Sequence, residues 1–396
     1  MKLRYLTLAG VGWFLLLVTL HYFNQRPLWL DEGYIFTNIT QHDTPQKLFT
    51  QPPLMQQAFP RFYLYLVQQL SKSFDFHLLA LRFLPFMAMI GGFLLWLSIA
   101  RREFKDNEGL LTFVACWSAS IPLIYYGAEL KQYSMDVCTA ALFVWFIYYG
   151  EQLRQQKPAW VYVALLAVLP LAGLFSYPVF LFMVFPFYNL LRLALQEKKC
   201  WHLVGIYVLS GCMVTGFLYW FDIRVSNADC MQGAHGTWSD YFISFDSVGE
   251  FFRSLGEGIN NLISRWFAEK PKWIRAASRI FIGLGFLQML ISFFTRFKKE
   301  GFRFTSVHSV AFVVFIEMLI LAVLKKYPFT VPRTSLYFAP VLLCLTTVAL
   351  MNIKVKWPVV YRILHSVFLV YLLYVSVGIA RCILSGDLGA QSVLWQ

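Results

Sequence analysis

Asp31 and Glu32 stand side by side in PLWLDEGYIFTNI (27–39), directly after an apolar run long enough to cross a bilayer. Adjacent carboxylates repel one another and are costly to desolvate, so such a pair beside a hydrophobic span calls for a reason. Held at a membrane surface, one of them could act as a general base toward a hydroxyl, or ligate a metal. The plainer reading is a cap: Asp31 precedes a stretch from Gly33 to Thr40, and a carboxylate suits the positive end of a helix.

Two further groups carry chemistry. In GAELKQYSMD (127–136), Glu129, Gln132, Tyr133 and Asp136 fall at i, i+3, i+4 and i+7, one face of a helix, with Lys131 off that stripe. A stripe of this kind entering a span is expensive unless it faces a cavity or bonds to a neighbouring helix. In KKYPFTVPRTSLYFAP (325–340), Lys325, Lys326 and Arg333 meet Tyr327 and Tyr337. Arg is geometrically suited to fork onto phosphate. The lysines are read as snorkelling to lipid head groups, and Arg61 and Arg82 pose the same choice. Glu317 lies alone in mid-span. Asp229, Cys230 and His235 could be drawn as a metal cluster, but without a second His at ligand spacing they read as loop polarity. The chain has no Walker A or GxGxxG motif, so nucleotide binding has no support.

The elements that must position these residues follow from composition. Of 396 residues 58% are hydrophobic and only 14% charged, against about 25% charged in a soluble domain. The chain is therefore expected to be an all-α polytopic membrane protein. The net charge of +13 comes from small clusters between apolar runs, with no nucleic-acid motif, so no nucleic-acid partner is expected. The seven cysteines show no paired spacing, which argues against a disulfide framework or a zinc site. The first apolar run, ending near Phe23 without a small-residue cleavage site, reads as a retained helix. Further runs at 77–100, 109–126, 134–150, 159–175, 177–194, 202–221, 273–295, 307–324, 334–350 and 358–380 make eleven spans. The stretch 159–194 is too long for one crossing of a ~30 Å core, and Ser176-Tyr177-Pro178 is its natural break.

A cytoplasmic N-terminus places all but one of the compact basic clusters inside, as the positive-inside rule requires. The exception is Lys325-Lys326, with Arg333. On that parity the loop 24–76 with Asp31-Glu32, the Glu129–Lys131 loop, the Ser176-Tyr177 turn, the loop 222–272 and residues 325–333 share the non-cytoplasmic face. Residues 1–396 then form a single integral-membrane domain. Within it, FPRFYLYLVQQL (59–70) reads as a juxtamembrane helix. SVGEFFRSLGEGINNLISRWF (247–267) reads as an amphipathic helix lying in the interface.

WLDE (29–32), FPRFYLYL (59–66), LALRFLP (79–85), YYGAELKQYSMD (125–136), LFSYP (174–178) and YPFTVPRTSLYFAP (327–340), in that order, carry a family resemblance over most of the chain. The sequence resembles the polytopic GT-C glycosyltransferases that use polyprenyl-phosphate sugars. The likeness is to the bacterial branch related to protein O-mannosyltransferases and lipid A sugar transferases. The resemblance implies a GT-C fold and a catalytic acid at Asp31; Glu32 is read beside it as orienting that acid or the acceptor. It also implies a second-loop acid at Glu129 that positions substrate, and donor-phosphate cations at Lys131, Arg61 and Arg333. Gln132, Tyr133, Asp136, Ser176, Tyr177, Tyr327 and Tyr337 complete the expected substrate-binding set. Where many relatives have a Pro-Pro-Leu-Tyr type segment this chain has Phe59-Pro60-Arg61-Phe62-Tyr63, with Pro52-Pro53-Leu54 nearby.

The expected partners are a polyprenyl-phosphate sugar donor, a glycan, lipid or protein acceptor, and membrane lipids. No cofactor is firmly implied; a divalent metal is compatible with the chemistry without being required. The expected reaction is transfer of one sugar to a hydroxyl, with inversion, on the non-cytoplasmic face of the cell (inner) membrane. A transporter or flippase would spread its polar groups through the bilayer midplane. A polymerase or ligase acting on lipid-linked glycans shares the outer-face chemistry. With no large soluble C-terminal domain expected, acceptor recognition falls to the outer loops.

Overall fold

The structure, a computed structural model, describes residues 2–56, 59–226, 241–267, 272–300, 304, 306–329 and 333–388. Every apolar run picked out above coincides with helix. Among the described residues seven helices are long and apolar enough to cross a membrane: Leu3–Phe23, Leu78–Glu103, Tyr177–Gln196, Lys198–Ile223, Arg275–Thr295, Leu336–Lys356 and Pro358–Leu384. The pair Asn107–Ser118 and Ile121–Ala128 is apolar enough when taken together, but is bent by 65°. Ala159–Leu174 and Val307–Val323 are apolar but shorter. Tyr133–Gln156 has the length but not the composition, since it carries Asp136, Glu151 and Arg154. The eleven expected spans thus reduce to seven clear ones, one bent pair and three weaker helices. The bend has a local cause. Pro122 opens the second half, where it cannot donate to the preceding turn and disfavours helical backbone just before it. It turns the chain into the loop that carries Glu129.

The bundle is closed by near approaches that only small residues allow. A Cβ on Gly92 would lie 3.2 Å from the Cys138 Cα, so Leu78–Glu103 packs backbone-close on Tyr133–Gln156. Gly285 meets Thr346 still more tightly, with backbone nitrogen 2.7 Å from the same imagined atom.

The loop after the first span folds into three helices, Leu30–Gln41, Pro45–Thr50 and Arg61–Lys72. They have a small core of their own. Ile35, Ile39, Leu48, Phe59, Tyr63, Leu64 and Val67 pack with Leu81 of the second span and Leu130 of the next loop. That core fixes the loop onto the bundle. The stretch expected to be a juxtamembrane helix does form a helix, with Tyr63, Leu64 and Val67 facing inward.

The helix Val248–Ser264 also forms, with Ser247 accepting from the Glu250 N–H as its cap. Its apolar residues do not all share one environment. Phe251, Leu255, Ile259, Leu262 and Ile263 pack onto the main core, whereas Val248 and Phe252 are exposed. Asp229, Cys230 and His235 lie outside the described residues.

Candidate active site at one end of the bundle

The opening pair divides its work. The helix starts at Leu30, with Trp29 as its N-cap, so Asp31 and Glu32 lie in its first turn. Asp31 is not the cap of a helix beginning at Gly33. Glu32 makes the reciprocal half of a capping box instead, its Oε2 accepting from the Trp29 N–H at 3.4 Å.

Glu32 is fully buried. Arg82 forks onto it, Nε to Oε1 at 2.9 Å and Nη2 to Oε2 at 2.7 Å. Arg26 adds a contact at 3.1 Å, and the Leu130 N–H donates to Oε1 at 2.8 Å. Arg82 also donates to the Arg26 carbonyl at 2.7 Å. One buried carboxylate therefore ties the first loop, the second span and the second loop together. Removing Arg82 strands that charge. Arg82→Ala is expected to cost about 3 kcal/mol, the lower end for a broken buried pair because Arg26 remains. Thermal unfolding in detergent checks this, with Lys47→Ala, which loses only an exposed pair with Asp43, as the control that stays near wild type.

The register set by Glu32 and Leu130 brings their neighbours face to face. Asp31 Oδ2 accepts from Lys131 Nζ at 2.9 Å and from Arg333 Nη1 at 2.7 Å. Asp31 Oδ1 accepts from no described residue. These side chains lie nearer the surface, Asp31 15% and Arg333 23% exposed against 0% for Glu32. Tyr133 places its ring 5.7 Å from the Lys131 ammonium. The Tyr327 hydroxyl donates to the Thr334 carbonyl at 2.7 Å, which steadies the turn that carries Arg333.

The polar stripe expected through 129–136 is broken. Glu129 has extended backbone and the helix begins only at Tyr133, so Glu129 and Asp136 do not share a helix face. The chain reverses between them, with the Lys131 N–H donating to the Glu129 carbonyl at 2.7 Å. That turn directs Lys131, the residue off the stripe, to Asp31. Glu129 is fully buried and accepts from Trp29 Nε1 at 3.1 Å. Burial, and then the Glu32 carboxylate, push it up to about 8, against the pull of Arg26 and Lys131. The folded value lies above the ordinary 4.5, so between those pH values the native state binds more protons than the unfolded chain. This contribution is fully present below 4.5 and is lost as pH rises toward 8. Glu129→Gln is expected to flatten the decline in thermal stability across that window. An unchanged slope would assign the decline to other groups.

The remaining expected site residues separate into two groups. The Arg61 guanidinium donates to the Leu48 carbonyl and, at 2.8 Å, to that of Gln51, bracing the first loop. Its backbone N–H donates to Asp222 Oδ1 at 3.4 Å, and Tyr177 donates to Asp222 Oδ2 at 2.9 Å. Arg61 and Tyr177 thus gather around Asp222 and not around Asp31. Asp136, Ser176 and Tyr337 are buried at the start of Tyr133–Gln156, where the turns carrying Ser176 and Tyr337 pack on that helix. Gln132 is half-buried. Sequence reasoning passed over Arg26 and Asp222. Arg26 carried a usable signal, a cation on the side that the charge rule disfavours. Asp222 was hidden at the end of an apolar run.

Among the described residues no three His, Cys, Asp or Glu side chains come together to hold a metal. At Asp31 two cations already occupy the carboxylate, a donor set suited to an anion.

Fold and site together define a polytopic, all-helical multi-pass membrane protein with a charged cluster at one end of its bundle. The solved structures it resembles include two of ArnT from Cupriavidus metallidurans. One is bound to undecaprenyl phosphate, at a TM-score of 0.54, and the other is in the apo state, at 0.53. Each is 14% identical, and the match covers 98% of this chain and 72% of that one. The likeness is one of fold. Neither protein-family models nor curated proteins give a match.

Proposed function

We propose that the protein transfers a single sugar from a polyprenyl phosphate to a hydroxyl acceptor at the non-cytoplasmic face of the membrane. The observation that carries this reading is Asp31, held at the rim of a polar cluster between Lys131 and Arg333. The similarity of fold to ArnT bound to undecaprenyl phosphate supports a lipid-phosphate donor.

In this reaction Asp31 takes the proton of the acceptor hydroxyl as its oxygen attacks the anomeric carbon. The bond from that carbon to the phosphate oxygen breaks on the opposite side, its electron pair stays with the phosphate, and the configuration inverts. Lys131 and Arg333 stabilise the charge that gathers on the departing phosphate. A phosphate leaves without an acid, so one carboxylate suffices. Glu32 then acts as a positioning residue, through the contacts with Arg82 and Leu130 that bring Lys131 to Asp31. Glu129 orients the same corner through Trp29. Tyr133, Gln132 and Tyr327 flank the donor phosphate. Asp136, Ser176 and Tyr337 support the wall behind it, and Arg61 and Tyr177 brace the loop through Asp222.

The test is a product assay with defined polyprenyl-phosphate sugars. Transfer of one sugar supports the proposal, and block transfer of a lipid-linked glycan would replace it with a polymerase or ligase. The side of the membrane is tested separately. In a cysteine-free background, cysteines at the exposed positions Gln46 and Asp246 are expected to react with an impermeant thiol reagent from outside, and those at Asn107 and Gln155 are not. One label on the wrong side refutes the assigned topology.

A further inference from the structure

We propose that the donor phosphate and Asp31 compete for the same two cations, so that donor binding frees Asp31 Oδ2 for the acceptor. This rests on the site assignment under Proposed function and adds a coupling between donor and base to it. Both charged donors reach one oxygen, Oδ2, at 2.9 and 2.7 Å. A carboxylate oxygen has two lone pairs in its plane, so Oδ2 has no further direction for an acceptor hydroxyl, and only Oδ1 is open to one. The pair is also largely shielded from water, with Lys131 9% and Asp31 15% exposed, so charge is poorly screened. A phosphate seated on Lys131 and Arg333 would face the Asp31 carboxylate at close range and repel it. The two anions cannot both be held well.

Phosphate arrival therefore draws Lys131 and Arg333 away from Oδ2, and that oxygen becomes able to accept the hydroxyl proton when a sugar donor is in place. Without donor, Asp31 stays tied to its cations. Departure of the lipid phosphate restores the resting ion pairs. Glu32 takes no part in the exchange, because Arg82, Arg26 and Leu130 keep it fixed.

Linkage makes the idea measurable. If Asp31 and phosphate oppose each other, removing the Asp31 charge must strengthen phosphate binding by the same factor. Asp31→Asn, inactive in transfer, is expected to bind undecaprenyl phosphate on the order of tenfold more tightly than wild type. The gain is expected to shrink below about twofold in an Arg333→Ala background, since it acts through the cations. A folding defect alone would not produce tighter binding or its dependence on Arg333. Binding is measured by titrating undecaprenyl phosphate into the purified full chain in detergent. Asp31→Ala serves as a second uncharged variant if the Asn protein does not fold. Equal or weaker binding in the folded variant overturns the competition while leaving the donor assignment intact. Absence of binding to wild type overturns the donor assignment, and the competition with it.

Discussion

Asp31→Asn is expected to abolish sugar transfer, by at least ~10²-fold, while the protein stays folded in the membrane. Asn keeps the shape of the side chain and can still accept from Lys131 and Arg333, but it cannot take a proton from a hydroxyl. The comparison with Glu32→Gln is what makes this expectation specific. Glu32 accepts two bonds from Arg82, one from Leu130 and a contact from Arg26, with no exposed surface. Its loss is expected to appear first in thermal stability, and in transfer only through the displaced Lys131. Turnover by single-round assay at matched protein levels separates the two. Near-normal turnover in Asp31→Asn would refute the assignment of the base, and a larger loss in Glu32→Gln would place it on the other carboxylate.

This division of labour was only half visible in the sequence. Adjacent carboxylates at a membrane edge marked the place, and the helical periods of the runs marked what surrounds it. Arg333 could be named from its residue type and side, and Lys131 from the family resemblance. Their meeting on one oxygen could not, because it depends on the Glu32 bond to the Leu130 N–H, which sets the register between two loops 98 residues apart. Periodicity misled at 129–136, where a tight turn replaces the helix and exchanges the roles of stripe and off-stripe residues. Arg61 shows the same limit differently. Its charge suggested a phosphate, but three backbone groups nearby, two carbonyls and its own N–H, have partners that make it a brace. Charge is legible in sequence, and the acceptor a cation finally meets is decided by tertiary packing.

Arg333 is the second residue whose replacement is expected to be nearly as damaging. It is the most exposed of the three charges at the rim, and its planar head has the shape to fork onto two phosphate oxygens. Lys in its place keeps the charge and loses the fork. Arg333→Lys is therefore expected to weaken donor use on the order of tenfold, and Arg333→Ala to lower kcat/KM by on the order of 10²-fold, as for loss of one donor to a developing oxyanion. Alanine there also frees Asp31 from one cation. That release does not compensate, because the bond to phosphate breaks only as fast as its charge is stabilised. Lys325 and Lys326 are exposed, and alanine at either is expected to change transfer by less than about twofold. The measurement is transfer rate against donor concentration for the four variants. Failure of the lysine variants alongside normal Arg333 variants would move the phosphate site from the Asp31 cluster to the surface of the loop.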